Sequence, residues 1–142
     1  MNPWRAVLDT NVLISAYRFG GKPERVLDLA LSNAFVPLLS VALDTELARV
    51  LKEKFLMDEQ LIDELCTPYR DSAEWINPRI QTHLCPDEAD NRVLECAMQG
   101  KADFVVTGDH HLLELLRVEN FEILKPDIFL GLLQLHRSNF IR

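Results

Sequence analysis

Cysteine is scarce in this chain. Cys66, Cys85 and Cys96 are the only three, and no two stand in a C-x-x-C spacing. That excludes zinc ribbons and dithiol redox motifs, which need such pairs. An odd, unpaired set fits reduced thiols in a cytosol. His83-x-Cys85 is too sparse for a zinc site. Basic residues are also few: 15 Lys and Arg face 22 Asp and Glu, for a net charge of −7. Such a balance disfavours a protein that clings to nucleic acid through a broad basic surface. A nuclease stays open, because metal-binding carboxylates themselves add negative charge. No apolar run approaches the roughly 20 residues of a membrane span. Met1-Asn2-Pro3-Trp4-Arg5 runs straight into the first apolar strand, so neither a signal peptide nor a membrane contact is expected. The expected location is cytoplasmic. Walker A and G-x-G-x-x-G sequences are absent. Ser15 and Ser40 have no base partner in the pattern, which argues against a serine hydrolase.

What is present is an ordinary globular composition, 48% apolar and 26% charged over 142 residues. This length predicts one domain over 1–142 that buries roughly two thirds of its unfolded surface. Ala6-Val7-Leu8 predicts a buried strand ending in the polar turn Asp9-Thr10-Asn11. Helices are predicted over 11–18 and 24–32, separated by Gly20-Gly21-Lys22-Pro23. A strand over 35–39, weakened by Pro37, precedes a helix that runs from the cap Ser40 to about Phe55. Residues 58–75 read as a helical segment interrupted near Pro68, and a short edge strand is predicted around Ile80. Pro86 opens a helix that runs to Gln99 and stops at Gly100. A strand over 103–107, a helix over 110–117, a strand over 121–124 and a helix from Pro126 to about Arg137 complete the chain. The alternation predicts an α/β fold around a parallel, helix-covered sheet.

Phe104-Val105-Val106-Thr107-Gly108-Asp109 repeats the opening pattern of an apolar strand that finishes on an aspartate. Ligands of parallel α/β sheets sit outside the carboxyl ends of the strands. Asp9 and Asp109 are thus predicted to face one crevice, although either alone would serve equally well as a helix cap. Asp90 lies three residues before Val93, four before Leu94 and seven before Ala97, on the apolar stripe of its helix. An unpaired carboxylate there is expensive, so function outweighs a mere first-turn dipole role. In the helix after the second strand, Glu46 and Asp44 flank the apolar stripe on opposite sides, and periodicity does not choose between them. Carboxylates that converge raise one another's pKa, and a divalent cation removes the repulsion. An all-oxygen ligand set suits Mg²⁺ or Mn²⁺. The natural chemistry of such a site is phosphodiester hydrolysis. His110 and His111, directly after Asp109, fit a solvated first helical turn.

These motifs resemble those of the PIN domain family over nearly the whole chain, from Val7 to about Leu130. Leu8-Asp9-Thr10-Asn11-Val12-Leu13 is similar to the family's first motif. Glu46 falls at the family's glutamate, and by this resemblance is preferred to Asp44. Asp90 with Ala97, and Val106-Thr107-Gly108-Asp109 followed by Leu112-Leu113, resemble the remaining motifs. Ile123-Leu124-Lys125-Pro126-Asp127-Ile128-Phe129-Leu130 is similar to the end of the VapC-like toxin branch. The resemblance implies a three-layer sandwich around a parallel sheet of about five strands, in the order 3-2-1-4-5. It implies an acidic tetrad of Asp9, Glu46, Asp90 and Asp109 that holds Mg²⁺ or Mn²⁺. Asn11 and Thr107 would orient the carboxylates. Asp87 is a candidate additional ligand, and first-turn dipole pairing explains it equally well.

The activity so implied is that of a ribonuclease toxin that cleaves RNA and is inhibited by a cognate antitoxin. A homodimer is implied as well. Arg18, Lys22 and Arg25 are candidates for holding RNA phosphates, and equally for ordinary loop charges. The alternative is a non-catalytic PIN-like module that keeps a structural metal and acts through protein partners. The intact set of four acids argues against it. Asn11 stands where an Asp-x-Asp phosphatase has its second aspartate, which argues against that class.

Overall fold

The computed structural model describes residues 2–141, with side chains described through His136. The chain runs from strand β1 (Arg5–Leu8) through helices α1 (Thr10–Phe19) and α2 (Gly21–Leu31) to strand β2 (Val36–Leu39). Helices α3 (Val41–Glu53) and α4 (Glu59–Ser72) follow, then the two-residue strand β3 (Glu74–Trp75). A long irregular stretch leads to helix α5 (Glu88–Gln99) and strand β4 (Phe104–Val106). The short helix α6 (His110–Leu113), strands β5 (Arg117–Val118) and β6 (Phe121–Leu124), and helix α7 (Pro126–Ile141) complete it.

The sheet order is β3-β2-β1-β4-β6-β5. Every pairing is parallel except that of β5 with β6. The α/β class holds, and without β5 the order is the expected 3-2-1-4-5. The extra strand corrects the expected helix over 110–117. That helix stops early because Leu116 takes a φ of 58°, and Arg117 and Val118 then pair with Glu122 and Phe121.

Further boundaries differ from the sequence pattern. The edge strand is not at Ile80 but at Glu74–Trp75, where it pairs with Leu38 and Leu39. Its exposed two residues carry no apolar alternation, so the pattern hid it. Helix α4 continues through Pro68 without interruption. Pro68 and Glu64, whose carbonyl the proline leaves unbonded one turn earlier, are both exposed, which is where such a loss is tolerated. Helix α5 starts at Glu88, with Asp87 as its cap and Pro86 before it.

Pro37 is tolerated inside the sheet for a positional reason. The Val36 N–H donates to Trp4 O at 2.8 Å, so the nitrogen of Pro37 faces the other edge. On that edge β3 begins only opposite Leu38, and the missing donor has no partner to lose. Between α1 and α2 only Gly20 intervenes, and Gly20 and Gly21 take φ of 72° and 68°, which side chains resist.

Helix α5 packs on β1, β2 and β4, and its Leu94, Cys96 and Ala97 are sealed from solvent. Gly100 ends it where space is short. A Cβ there would stand 2.9 Å from both Cys96 O and Leu38 Cδ1. Helix α7 packs against α2, and its Phe129 meets Phe35 and Phe104 edge-on at 5.0 and 5.6 Å between centroids. Each such buried ring contributes about 1.5–3 kcal/mol through area alone. This core holds the ends of β1 and β4 rigidly side by side.

Candidate active site

β1 and β4 pair with Leu8 opposite Val106, so their carboxyl ends coincide. Asp9 follows β1 directly, and its N–H donates to Val106 O at 3.0 Å. Thr107 follows β4 and is fully buried. Its hydroxyl donates to Asp9 Oδ2 at 2.8 Å and accepts from the Asp109 N–H at 2.9 Å. One hydroxyl therefore fixes the side chain of one acid and the backbone of another. Asp109 caps α6, its Oδ1 accepting from the His111 N–H at 2.8 Å.

Asp90 enters from the first turn of α5. It shares the buried face of that helix with Val93, Leu94 and Ala97 and is itself only 5% exposed. Its Oδ2 is buried without a hydrogen-bond partner. Burial pushes the Asp90 carboxyl up to about 7, and the charges of Asp109, Asp87 and Asp9 push the same way. Burial raises Asp9 as well. The Thr107 hydroxyl offsets part of that, the Asp109 charge adds to it, and the amides of Thr10 and Asn11 pull it down. Three aspartates from three elements thus sense one another in one crevice.

The donor set is all oxygen, and Asp90 Oδ2 is a buried acceptor with nothing to accept. Both features fit a hard divalent cation. Among the described residues no group of three or more His, Cys, Asp or Glu side chains is already gathered closely enough to hold a metal ion.

Glu46 stands apart from the three aspartates. It lies in the second turn of α3, and its carboxylate accepts from Arg49 of the same helix at 2.7 and 3.1 Å. Asp44 is bound to Arg70 at 2.8 Å and ties α3 to α4. Asp87 caps α5 by accepting from the Ala89 N–H at 2.9 Å, and its charge reaches Asp90. Asn11 is exposed, and its backbone amide rather than its side chain acts on Asp9. Arg18 lies over the rings of Phe55 and Phe19, at 4.6 and 5.2 Å, at the far end of α1. Lys22 and Arg25 are exposed on α2. His110 and His111 are exposed and stack on each other at 4.6 Å.

Two buried residues of α5 were passed over in the sequence. Asn91 and Glu95 are 0% and 6% exposed and bond the backbone of the preceding irregular stretch. The signal that could have found them is the polar series Asn91, Glu95, Gln99, repeating every fourth residue of a helix.

A sequence model of the PIN domain matches residues 5–111. The uncharacterized protein MJ1680 of Methanocaldococcus jannaschii is 31% identical over 133 residues, spanning 86% of this chain and 85% of its own. Among solved structures, VapBC2 of Rickettsia felis, bound to a DNA fragment from their promoter, matches with a TM-score of 0.59. That match is 17% identical and covers 84% of this chain and 97% of that one. At such identity it establishes a shared fold.

Proposed function

The chain belongs to the PIN domain family, and on that premise we propose that it is a Mg²⁺- or Mn²⁺-dependent ribonuclease, the toxin of a toxin–antitoxin pair. PIN domains are generally nucleases and typically use divalent metal ions. The observation that carries the reading is the crevice itself. Asp9, Asp90 and Asp109 converge there from β1, α5 and β4, and Asp90 presents a buried, unpartnered oxygen. Those three acids would hold the cation, with Glu46 as the fourth. The bound cation would supply activation of water and neutralise charge building up on the phosphodiester. Thr107 keeps Asp9 oriented by holding its Oδ2. Arg18, Lys22 and Arg25 are the candidates for RNA phosphates. An antitoxin partner and a homodimer belong to this reading. Both rest on the resemblance of residues 123–130 to VapC-like toxins and on the fold shared with VapBC2.

The test is cleavage of single-stranded and structured RNA by the purified protein, with Mn²⁺ and with chelator. The reading expects Mn²⁺-dependent cleavage that Asp90→Asn reduces by orders of magnitude. Cleavage that survives both chelator and Asp90→Asn overturns it. A second reading has one observation in its favour: the carboxylate of Glu46 is engaged by Arg49 instead of the crevice. In that reading the protein is a PIN-like module that binds a metal and acts through protein partners. It expects Mn²⁺ binding without RNA cleavage.

A further inference from the structure

The stretch between β3 and α5 has almost no regular structure to satisfy its backbone, and α5 supplies the partners instead. Gln99 Oε1 accepts from the Arg79 N–H at 3.0 Å, and Glu95 Oε2 from the Thr82 N–H at 3.0 Å. Asn91 does more. Its Oδ1 accepts from the Cys85 N–H and its Nδ2 donates to the Cys85 carbonyl, both at 2.9 Å. A single side chain thereby replaces a strand neighbour. Asn91 is 0% and Cys85 5% exposed, so water is poorly placed to take over these bonds. Cys85 is also near the acids: burial pushes its thiol up, and the charges of Asp90, Asp109 and Asp87 add to that. Asp90 is the residue next to Asn91, and its Oδ2 is shut away from any partner.

We propose that Asn91 is a positioning residue. By clamping both backbone groups of Cys85 it holds residues 79–85 as a wall of the acidic crevice, and this wall keeps Asp90 Oδ2 dry and free for the cation. The inference rests on the reading of that crevice as a metal site. Asn91 touches no substrate; it acts through the wall. Glu95 and Gln99 secure the same strap further from the acids.

The test compares the parent, Asn91→Ala and Gln99→Ala at a temperature where all three are folded. Iodoacetamide labelling, mapped by mass spectrometry, reads whether the wall is shut. Calorimetry reads the Kd for Mn²⁺. In Asn91→Ala, Cys85 should label about tenfold faster while Cys66 and Cys96 stay protected, and the Mn²⁺ Kd should rise about tenfold or more. Gln99→Ala should change neither. Mere loss of stability would lower the melting temperature and leave the Mn²⁺ affinity of the folded protein alone. Cys85 still protected in Asn91→Ala overturns the clamp. Cys85 opened with parental Mn²⁺ affinity overturns the role of the wall. The parent carries a variant-free test: saturating Mn²⁺ should slow Cys85 labelling, because wall and cation favour each other. Labelling indifferent to bound Mn²⁺ overturns the proposal as well. A parent that binds no Mn²⁺ at millimolar concentration overturns the metal site itself, and the wall's purpose with it.

Discussion

Asp90→Asn should make the metal-free protein more stable, by a margin that opens above about pH 4 and is complete above about pH 7. The substitution keeps the size of the side chain and removes its charge. In the parent, burial and three neighbouring acids lift the carboxyl from 3.8 to about 7. At 1.36 kcal/mol per pH unit, that lift penalises the ionised form by roughly 4 kcal/mol. The figure is a ceiling, because the neighbouring acids share the strain and the crevice relaxes. A gain of about 1–3 kcal/mol at pH 8 is expected, roughly 3 °C in Tm per kcal/mol for a chain of this size. The sign follows from linkage. A carboxyl raised on folding contributes its full stability below about pH 4 and loses it as pH climbs through about 7. The variant has no such loss, so the two stability curves should part between pH 4 and pH 7 and then run parallel. Urea unfolding in chelator, at several pH values across that window, measures the separation. Glu88→Gln is the control: Glu88 is itself exposed, its partner Arg92 stands at 3.1 Å, and the change should stay within about 0.5 kcal/mol. A separation that is the same at pH 4.5 and pH 8, or an Asn variant less stable at pH 8, refutes the account of Asp90 as a repelled acid.

Other outcomes follow from the same geometry. Mn²⁺ at about 100 times its Kd should stabilise the protein by about 2.7 kcal/mol at pH 8, and by much less at pH 5, where Asp90 keeps its proton; thermal melts at the two pH values check this. Thr107→Val removes the donor to Asp9 Oδ2 and the acceptor for the Asp109 N–H at once. It should lower stability by about 1–3 kcal/mol in urea unfolding and weaken Mn²⁺ binding by calorimetry. Glu46→Gln breaks a solvent-screened pair with Arg49, so the urea midpoint should stay nearly unchanged while RNA cleavage falls at least about tenfold. Unchanged cleavage would remove Glu46 from the site. Gly100→Ala places a methyl 2.9 Å from a backbone carbonyl and from Leu38, and should cost about 1–3 kcal/mol without altering Mn²⁺ affinity.

The parallel sheet was legible because its central strands are short apolar runs that end on polar turns; its order came from the resemblance to the PIN domain family. Asp9 and Asp109 announce themselves in this way. Asp90 was legible for a different reason: an acid on the buried face of α5, three and four residues from Val93 and Leu94, conflicts with its setting. What stayed hidden depends on pairing across the chain. Nothing local marks Glu74–Trp75 as a strand; β2 makes it one. Arg117–Val118 reads as the end of a helix until Phe121 and Glu122 claim it. The clamp of Asn91 on Cys85 has the same character, since the partner is a backbone that the sequence pattern leaves without structure. Thr107 stood out as a residue beside the acids, but its two simultaneous bonds require the registry of β1 with β4.

The acids of the crevice differ in how they are held, and that difference bears on how a cation would be taken up. Asp9 is fixed by a strand end and by Thr107, and Asp90 by a helix packed on three strands. The core gives them little freedom to separate, so burial first, and then their mutual repulsion, leaves each with a raised proton affinity. Glu46 is free of that constraint. Its carboxylate sits 30% exposed on one helix, neutralised by Arg49. So exposed a pair is largely screened by water, so exchanging Arg49 for a divalent cation costs little. In the ribonuclease reading the aspartates therefore supply the standing demand for positive charge, and Glu46 is the adaptable member that joins once the charge is present.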